Sequence, residues 1–224
     1  MRTNVYVDTF NLYYGCLKNT AYRWLDISKL CQSELPANDI NRIRCFAARV
    51  KGRPGDLQQP DRQNAYFRAL LTIPNLTIHE GQYLATDVRM ALSTPFPISS
   101  VDTSIVTVKP DGTQLVEVRK SEEKGSDVNP ASYLLLDGFR KDYEVAVVIT
   151  NDSDLAEPIR LVRHELKLPV VVLHPCGGIR GPSIKLKMVA SKSISISEIH
   201  LAASLFPDEI TLPNGQIITK PVGW

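Results

Sequence analysis

Two hydrophobic patterns alternate along the 224 residues. Short apolar runs are typical of buried strands, and longer stretches between them have the spacing of amphipathic helices. The predicted strands are Asn4–Asp8 (NVYVD), Asn41–Val50 (NRIRCFAARV), Asn75–Leu84 (NLTIHEGQYL), 144–150 (EVAVVIT) and Leu168–Pro175 (LPVVVLHP). The predicted helices are Leu12–Cys31, Arg62–Leu71, Asp127–Arg140 and the segment 153–166 (SDLAEPIRLVRHEL).

This alternation predicts an α/β fold with a mostly parallel central sheet. Strands that alternate with helices form right-handed βαβ units, and such units place helices on the sheet faces. The runs VAVVI and VVVL are apolar at every position. Continuous apolar runs are expected where both faces of a strand are covered by helices.

Two segments depart from the alternation. Two β-rich runs flank the PDG turn, and they predict an inserted β-hairpin over about residues 101–120. The segment 177–224 begins with a loop, followed by a small strand or helix signal, and its last part, residues 206–224, is rich in Pro and Gly. We expect it to form an irregular C-terminal extension that packs on the same domain, which spans residues 1–176.

Composition narrows the class of protein but not its function. Hydrophobic residues make up 43% of the chain, which is enough for a packed core, and the net charge is only +2, so any basic surface must be local. The four cysteines lack the spacing of a metal or redox motif and are expected to be free thiols. With no signal peptide and no membrane-length apolar run in the sequence, a cytoplasmic protein without membrane contact is predicted.

Acidic residues stand where the predicted strands end. Asp8 ends the first strand, Asp152 and Asp154 follow EVAVVIT, and Asp127 opens the helix before that strand. The carboxyl ends of the strands in an open α/β sheet share one crevice, so these acids can meet there. Clustered carboxylates repel unless a cation lies between them, and an all-oxygen set favours Mg²⁺ or Mn²⁺.

Helix capping is the competing explanation for most of these residues. Asp and Asn are preferred N-caps, which accounts for Asp127, Asp152 or Asp154 taken singly, and for Asn11 as the cap of the first helix. Asp8 has no evident capping need. Ser153 lies at a helix start, where backbone N–H groups favour anions. The four histidines have no ligand spacing and are interpreted as structural or surface residues.

Three blocks of the sequence resemble the signature blocks of the NYN domain family, a group of PIN-like nucleases that includes the LabA-like proteins. They are VDTFNLYYG, EEKGSDVNPASYLLLDGF and VVITNDSDLAEPIRLV, in the family's order and spacing. The resemblance implies a PIN-like three-layer sandwich that hydrolyses RNA phosphodiesters with Mg²⁺ or Mn²⁺. The catalytic set that it implies is Asp8, Asn11, Asp127, Asp152 and Asp154, with the four aspartates as metal ligands.

RNA is the partner that this resemblance implies. Lys51, Arg53, Lys124 and Ser153 are the candidate phosphate contacts, which would position the strand without reading its sequence. Two positions depart from the family pattern: Asn151 stands where many members have Gly, and Tyr133 where many have Asp or His.

Other functions remain open at this point. A non-catalytic RNA-binding or regulatory module with the same fold is the main alternative, because Tyr133 departs from the family pattern. A phosphatase with a carboxylate nucleophile is disfavoured, since it would need a second acid two residues after Asp8, where Phe10 stands. The hairpin and the extension could also build a homo-oligomer.

Overall fold

The computed structural model describes residues 1–52, 55–97, 99, 101–124, 128–175 and 181–224, with the backbone alone for residues 82–85 and 121–124. The chain forms two compact units, one of residues 1–81 and 125–224 and one of residues 82–124. No described helix has the length and apolar character needed to cross a membrane.

The larger unit contains most of the regular structure. In the described part of the chain the elements are, in order, β1 (Arg2–Asp8), α1 (Thr9–Leu12), a π-helical turn (Tyr13–Leu17), α2 (Ile27–Glu34), β2 (Asp39–Ala48), α3 (Gln59–Leu70), β3 (Leu76–Ala91), β4 (Val106–Val108), β5 (Gln114–Lys124), α4 (Val128–Phe139), β6 (Val145–Ile149), a 3₁₀ turn (Ser153–Leu155), α5 (Ala156–His164), β7 (Val170–His174), α6 (Ile184–Val189), β8 (Lys192–Ser195), α7 (Glu198–Ala203), β9 (Glu209–Thr211) and β10 (Ile217–Thr219).

The sheet of the larger unit has six strands in the described residues, in the order β3-β2-β1-β6-β7-β8. Each neighbouring pair is parallel. The chain builds β1, β2 and β3 in one direction across the sheet, and β6, β7 and β8 in the other. The topological switch point therefore lies between β1 and β6.

Helices cover both faces of this sheet. Val5 and Val7 of β1 face the core cluster that includes α1, α2, α3 and α7. Tyr6, between them, faces the second cluster, which includes α4, α5 and α6. All five residues of β6 are buried, as are those of β7. The predicted three-layer α/β sandwich with a mostly parallel sheet is thus confirmed.

The smaller unit is an antiparallel ribbon. Residues 82–91 of β3 pair with β5, and β4 pairs with the start of β5 across the PDG turn. Gly112 in that turn has φ +83, a conformation that a glycine adopts without strain. The two strands expected around PDG are therefore present, and β3 runs seven residues beyond the predicted end at Leu84.

The single helix expected over Leu12–Cys31 is wrong. The helical path stops at Leu17, Asn19 adopts a left-handed φ of 61°, and α2 begins only after Asp26, whose carboxylate accepts hydrogen bonds from the next turn. Trp24 and Leu25 lie fully buried in the connection. Tertiary packing accounts for the break, because the indole N–H donates to Pro207 O and Leu25 pairs with Leu205.

The segment after residue 176 contains more regular structure than its composition indicated. Its strand β8 joins the edge of the main sheet beside β7, and β9 and β10 form a separate antiparallel pair. The sequence KSIS of β8 is exposed or half-buried at every position. An edge strand with this polar pattern carries too weak an apolar signal to be recognised from sequence.

A buried ion pair joins the centre of the sheet to α4. Arg44 on β2 donates from Nε and Nη2 to the two carboxylate oxygens of Asp137, at 2.8 and 3.0 Å. Tyr6 on β1 donates its hydroxyl to the same carboxylate at 2.9 Å. Arg44 and Asp137 are only 7% and 1% exposed. Burial, and then the charge of Asp137, raise the pKa of Tyr6.

Aromatic rings close the other side of Arg44. Its guanidinium lies 4.5 Å from the ring centre of Tyr133, whose ring centre is 4.3 Å from that of His79. Arg44 Nη1 lies 3.2 Å from His79 Nε2, which must accept because a guanidinium has only donors. Burial, and then the charge of Arg44, lower the pKa of His79.

Replacing Arg44 tests this pair. Arg44→Met should lower the free energy of unfolding by roughly 3–5 kcal/mol, because it leaves the Asp137 carboxylate buried without its partner. The double variant Arg44→Met/Asp137→Leu should recover at least half of that loss. Urea denaturation measures both. The control is Arg160→Met, at an exposed ion pair with Glu157, which should leave the free energy of unfolding nearly unchanged. A double variant that is no more stable than Arg44→Met would contradict the explanation.

Candidate functional site

The candidate site lies at the carboxyl ends of β1 and β6, on either side of the switch point. Val7 pairs with Ile149 in the parallel register, so Asp8, the last residue of β1, and Thr150, which directly follows β6, come at the same level of the sheet. The Thr150 hydroxyl, fully buried, donates to Asp8 Oδ2 at 3.2 Å. Ligand sites of open α/β sheets form at such switch points.

Asp8 is the N-cap of α1. Its Oδ1 accepts from the backbone N–H of Asn11 at 2.9 Å, and its Oδ2 accepts from the Asn11 side-chain amide at 2.8 Å. The interpretation that Asp8 has no capping need is therefore wrong: Asp8 is the cap, and Asn11, the cap in the competing explanation, instead binds its carboxylate. At 9% exposure Asp8 is held in one orientation at the edge of the sheet.

Asn11 connects this carboxylate to the loop after β6. Its Oδ1 accepts the backbone N–H of Asn151 at 3.2 Å. The Asn151 side chain in turn accepts from the backbone N–H of Ser183 at 2.7 Å and donates to Gly181 O at 3.2 Å. The chain segments that follow β1, β6 and β7 are thus joined by a continuous series of hydrogen bonds.

His174, the last residue of β7, completes this series. Its Nδ1 lies 3.0 Å from Asn151 Oδ1 and its Nε2 lies 2.6 Å from Ser193 Oγ. An amide oxygen can only accept, so Nδ1 carries the proton and Nε2 accepts from the serine hydroxyl. His174 is 1% exposed. Burial, and then the charge of Lys187, lower its pKa, which favours the neutral ring.

Asp152 caps the 3₁₀ turn after β6. Its Oδ1 accepts from the backbone N–H of Asp154 at 3.0 Å, and its own N–H donates to the Thr150 hydroxyl at 3.0 Å. In the described part of the chain, Oδ2 of Asp152 has no hydrogen-bond partner. Asp152 and Ser153 are half-buried, whereas Asp154 is exposed. Thr150 therefore contacts both Asp8 and Asp152.

The remaining predicted residues are not all part of this arrangement. Lys51 is exposed in the loop after β2. Asp127 and Arg53 lie outside the described residues, as does the side chain of Lys124. Tyr133, the departure from the family pattern, packs against Arg44 and His79 in the α4 layer.

The donor set at the switch point consists of oxygen atoms. Asp8 and Asp152 supply carboxylates, and oxygen ligands of this kind fit Mg²⁺ or Mn²⁺ better than zinc. Among the described residues, no group of three or more His, Cys, Asp or Glu side chains is placed to hold a metal ion. A metal centre here would therefore need a further ligand, and the sequence offers Asp127 for it.

Sequence reasoning missed three residues of the network. The sequence marks Asn151 only as a departure from the family pattern and His174 only as one of four scattered histidines, and Thr150 carries no signal of residue type. Position is a usable signal, because Thr150 directly follows β6 and His174 ends β7, as Asp8 ends β1. The hydrogen bond between Asn151 and residues after β7 has no local sequence signal.

The comparisons with known proteins support the fold and leave the activity open. No protein-family model matches the chain. Over its whole length the chain is 28% identical to 6-hydroxy-3-succinoylpyridine 3-monooxygenase HspA of Pseudomonas putida, and the alignment covers 75% of that protein. The crystal structure of a protein of unknown function from Vibrio parahaemolyticus has a similar fold, with a TM-score of 0.53 and 15% identity over 92% of this chain and 96% of that one.

The lowered pKa of His174 predicts a pH-dependent stability. The folded state binds this proton less readily than the unfolded chain, so stability is full above the unfolded pKa of about 6.5 and falls as the pH drops through the lowered folded value. His174→Asn keeps a donor to Asn151 but cannot titrate, so it should lose less stability than the parent chain between pH 7.5 and pH 5.0.

Urea denaturation at the two pH values measures this difference. His164→Gln, at an exposed histidine of α5, is the matched control and should behave as the parent chain does. An equal pH-dependent loss in His174→Asn and the parent would show that the buried ring does not contribute.

Proposed function

We propose that the carboxyl edge at the switch point is the site of a Mg²⁺- or Mn²⁺-dependent ribonuclease. The observation that carries the proposal is a pair of oriented carboxylates, Asp8 at the end of β1 and Asp152 after β6, linked through Thr150, whose hydroxyl donates to the Asp8 carboxylate and accepts from the backbone N–H of Asp152. Their place in an α/β sandwich agrees with the resemblance of the sequence to PIN-like nucleases.

Asp8, Asp127, Asp152 and Asp154 are the residues that would hold the ion. A divalent ion at such a site supplies positive charge beside a phosphate and lowers the pKa of a bound water. Capping does not prevent Asp152 from binding a metal, because a carboxylate has about four lone-pair sites and the cap uses one. The cap instead fixes the carboxylate before any ligand arrives.

Asn11, Thr150 and Asn151 would orient these acids. Asn11 binds the Asp8 carboxylate through its amide, and Asn151 fixes the orientation of Asn11 through its backbone N–H. Residues that orient metal ligands typically affect metal affinity or activity by about 10- to 100-fold when they are replaced. In this proposal the function of the buried network is to keep Asp8 in one position.

RNA would be held by its phosphates. Lys51, exposed in the loop after β2, and Ser153, at the 3₁₀ turn, are described candidates for these contacts; Arg53 and Lys124 complete the proposed set. Such contacts position a strand and leave its sequence unread. The buried free thiols Cys31 and Cys45 agree with a reducing, cytoplasmic location, which is part of the proposal.

Two other functions have specific observations in their favour. Both carboxylate oxygens of Asp8 already accept hydrogen bonds, one from the backbone N–H of Asn11 and one from its side-chain amide. This engagement would fit a non-catalytic RNA-binding module. Hydroxylation of an aromatic ring would fit the similarity to the P. putida monooxygenase, which extends over the whole chain. That reaction consumes O₂ and two electrons from a reductant, so it is distinguishable from hydrolysis.

Metal-dependent cleavage of RNA tests the proposal. The purified chain should cut a mixed RNA pool with Mn²⁺ or Mg²⁺ and not with EDTA. Asp8→Asn and Asp152→Asn should each lower the rate by more than about 100-fold, beyond the loss typical of orienting residues. The control is Asp208→Asn, at an exposed acid near β9, which should cleave RNA at the rate of the parent chain. Equal cleavage rates in all three variants would exclude the proposed site.

Two further readouts separate the alternatives. RNA binding without cleavage, unchanged by Asp8→Asn, would favour the binding module. Consumption of O₂ with NADH and 6-hydroxy-3-succinoylpyridine, in an RNA-free reaction, would favour the hydroxylase, and the same assay without the pyridine is its control.

A further inference from the structure

A separate cleft opens beside the turn that follows β1. It lies between the π-helical turn and α3 and has a volume of about 540 Å³. Thr9 and Phe10, directly after Asp8, line one end. Volumes of this order are typical of small-molecule sites. The proposed nuclease mechanism does not use this cleft.

Aromatic side chains form much of its wall. They are Phe10, Tyr13, Tyr14, Tyr66, Phe67 and Trp224. The ring centres of Tyr13 and Tyr14 are 5.2 Å apart in an edge-on arrangement, and those of Tyr66 and Trp224 are 5.7 Å apart. Tyr14 is 52% exposed. Rings in several orientations around one space favour a flat, unsaturated ligand.

The floor of the cleft is apolar. Leu12, Leu17 and Ile27 reach it and are at most 2% exposed. A hydrocarbon ring would bury its surface here at no polar cost. Sugar hydroxyl groups pressed against the same floor would lose their water and find no partner there, which is unfavourable.

The rim of the cleft carries an excess of positive charge. Its cations are Lys18, Arg23 and Arg62, and its one acid among the described lining residues is Asp56. Both carboxylate oxygens of Asp56 accept from Nη2 of Arg62, at 2.6 and 2.5 Å. In the described part of the chain, Nε and Nη1 of Arg62 have no partner, and Lys18 contacts only the face of Tyr14.

The start of α3 also lies at the cleft. The helix begins at Gln59, which lines the cleft, and no side chain caps it; Pro60 has no N–H, and Asp61 in the first turn offsets part of the positive charge of the helix start. Arg62 belongs to the first turns of the same helix and supplies a full charge. A guanidinium therefore lies at a cleft whose lining is largely apolar or aromatic.

We propose that this cleft binds a small aromatic carboxylate: one or two fused rings against the aromatic wall, with the carboxylate at Arg62 and Lys18. The planar ring matches the aromatic lining, and the single negative charge matches the excess of cations in that lining. In the described part of the chain, three N–H groups of Arg62, one on Nε and two on Nη1, remain to donate charge-assisted hydrogen bonds to a carboxylate. The proposal requires neither RNA cleavage nor ring hydroxylation.

Three naphthalene compounds with one ring system and different charges test the proposal. Isothermal titration of the full chain should show 2-naphthoate binding with one site. Neutral 2-naphthamide should bind about tenfold more weakly, the loss typical of a hydrogen bond to a charged group, and cationic 2-naphthylmethylamine more weakly still. Failure of 2-naphthoate to bind, or equal binding of the amine, would overturn the proposal.

Variants on α3 locate the site. Arg62→Gln and Lys18→Gln should each weaken 2-naphthoate about tenfold. Arg68→Gln, the same substitution at an exposed arginine of α3 that does not line the cleft, should bind as the parent does. Equal affinities of Arg62→Gln and Arg68→Gln would place the ligand elsewhere and overturn the proposal.

Two further titrations separate this site from the nuclease site. Asp152→Asn should keep the parent affinity for 2-naphthoate, because Asp152 neither lines the cleft nor caps a turn that does. Loss of binding in Asp152→Asn would contradict a separate site. Uridine monophosphate that competes with 2-naphthoate and binds more tightly would show that the cleft selects nucleotides, and this would also overturn the proposal.

Discussion

The Asp8 carboxylate holds the turn from β1 into α1, and the polar groups at the carboxyl edge of the sheet depend on that turn. One oxygen caps the helix and the other binds the Asn11 amide and the Thr150 hydroxyl. Asn11 is then placed to accept the N–H of Asn151, which in turn binds Ser183 and His174. Parallel strands bring these groups to one edge because all their carboxyl ends point the same way.

Capping and ligand binding need not compete at such an edge. Asp8 and Asp152 both cap a turn that leads away from a central strand. A cap fixes the rotamer of a carboxylate at the point where the strand ends, and a carboxylate keeps acceptor sites beyond the one that the cap uses. The observed caps therefore do not decide between a structural and a catalytic role. They do explain why two acids lie oriented at the switch point of the sheet.

The two layers of helices carry different chemistry. Beneath α4 the Arg44–Asp137 pair is buried with Tyr6 and covered by the rings of Tyr133 and His79. Its polar groups therefore make hydrogen bonds within the core and do not face solvent. On the opposite layer the cleft beside α3 leaves aromatic faces and cationic groups in contact with solvent. The aromatic and cationic lining of this cleft makes small aromatic acids worth testing alongside RNA.

The sequence by itself determined the α/β class, five of the six strands of the main sheet and the acids at the carboxyl ends of the two central strands. Apolar runs such as VAVVI and residues that directly follow them are local features, and local features are visible in one sequence. Only the tertiary structure decided the rest. The local pattern predicts a helix at Trp24 and Leu25, but both residues lie in a buried connection, where they contact residues 205–207. The edge strand β8, the Arg44–Asp137 pair and the link from Asn151 to His174 join residues 19 or more positions apart, and no pattern along the chain encodes such pairs.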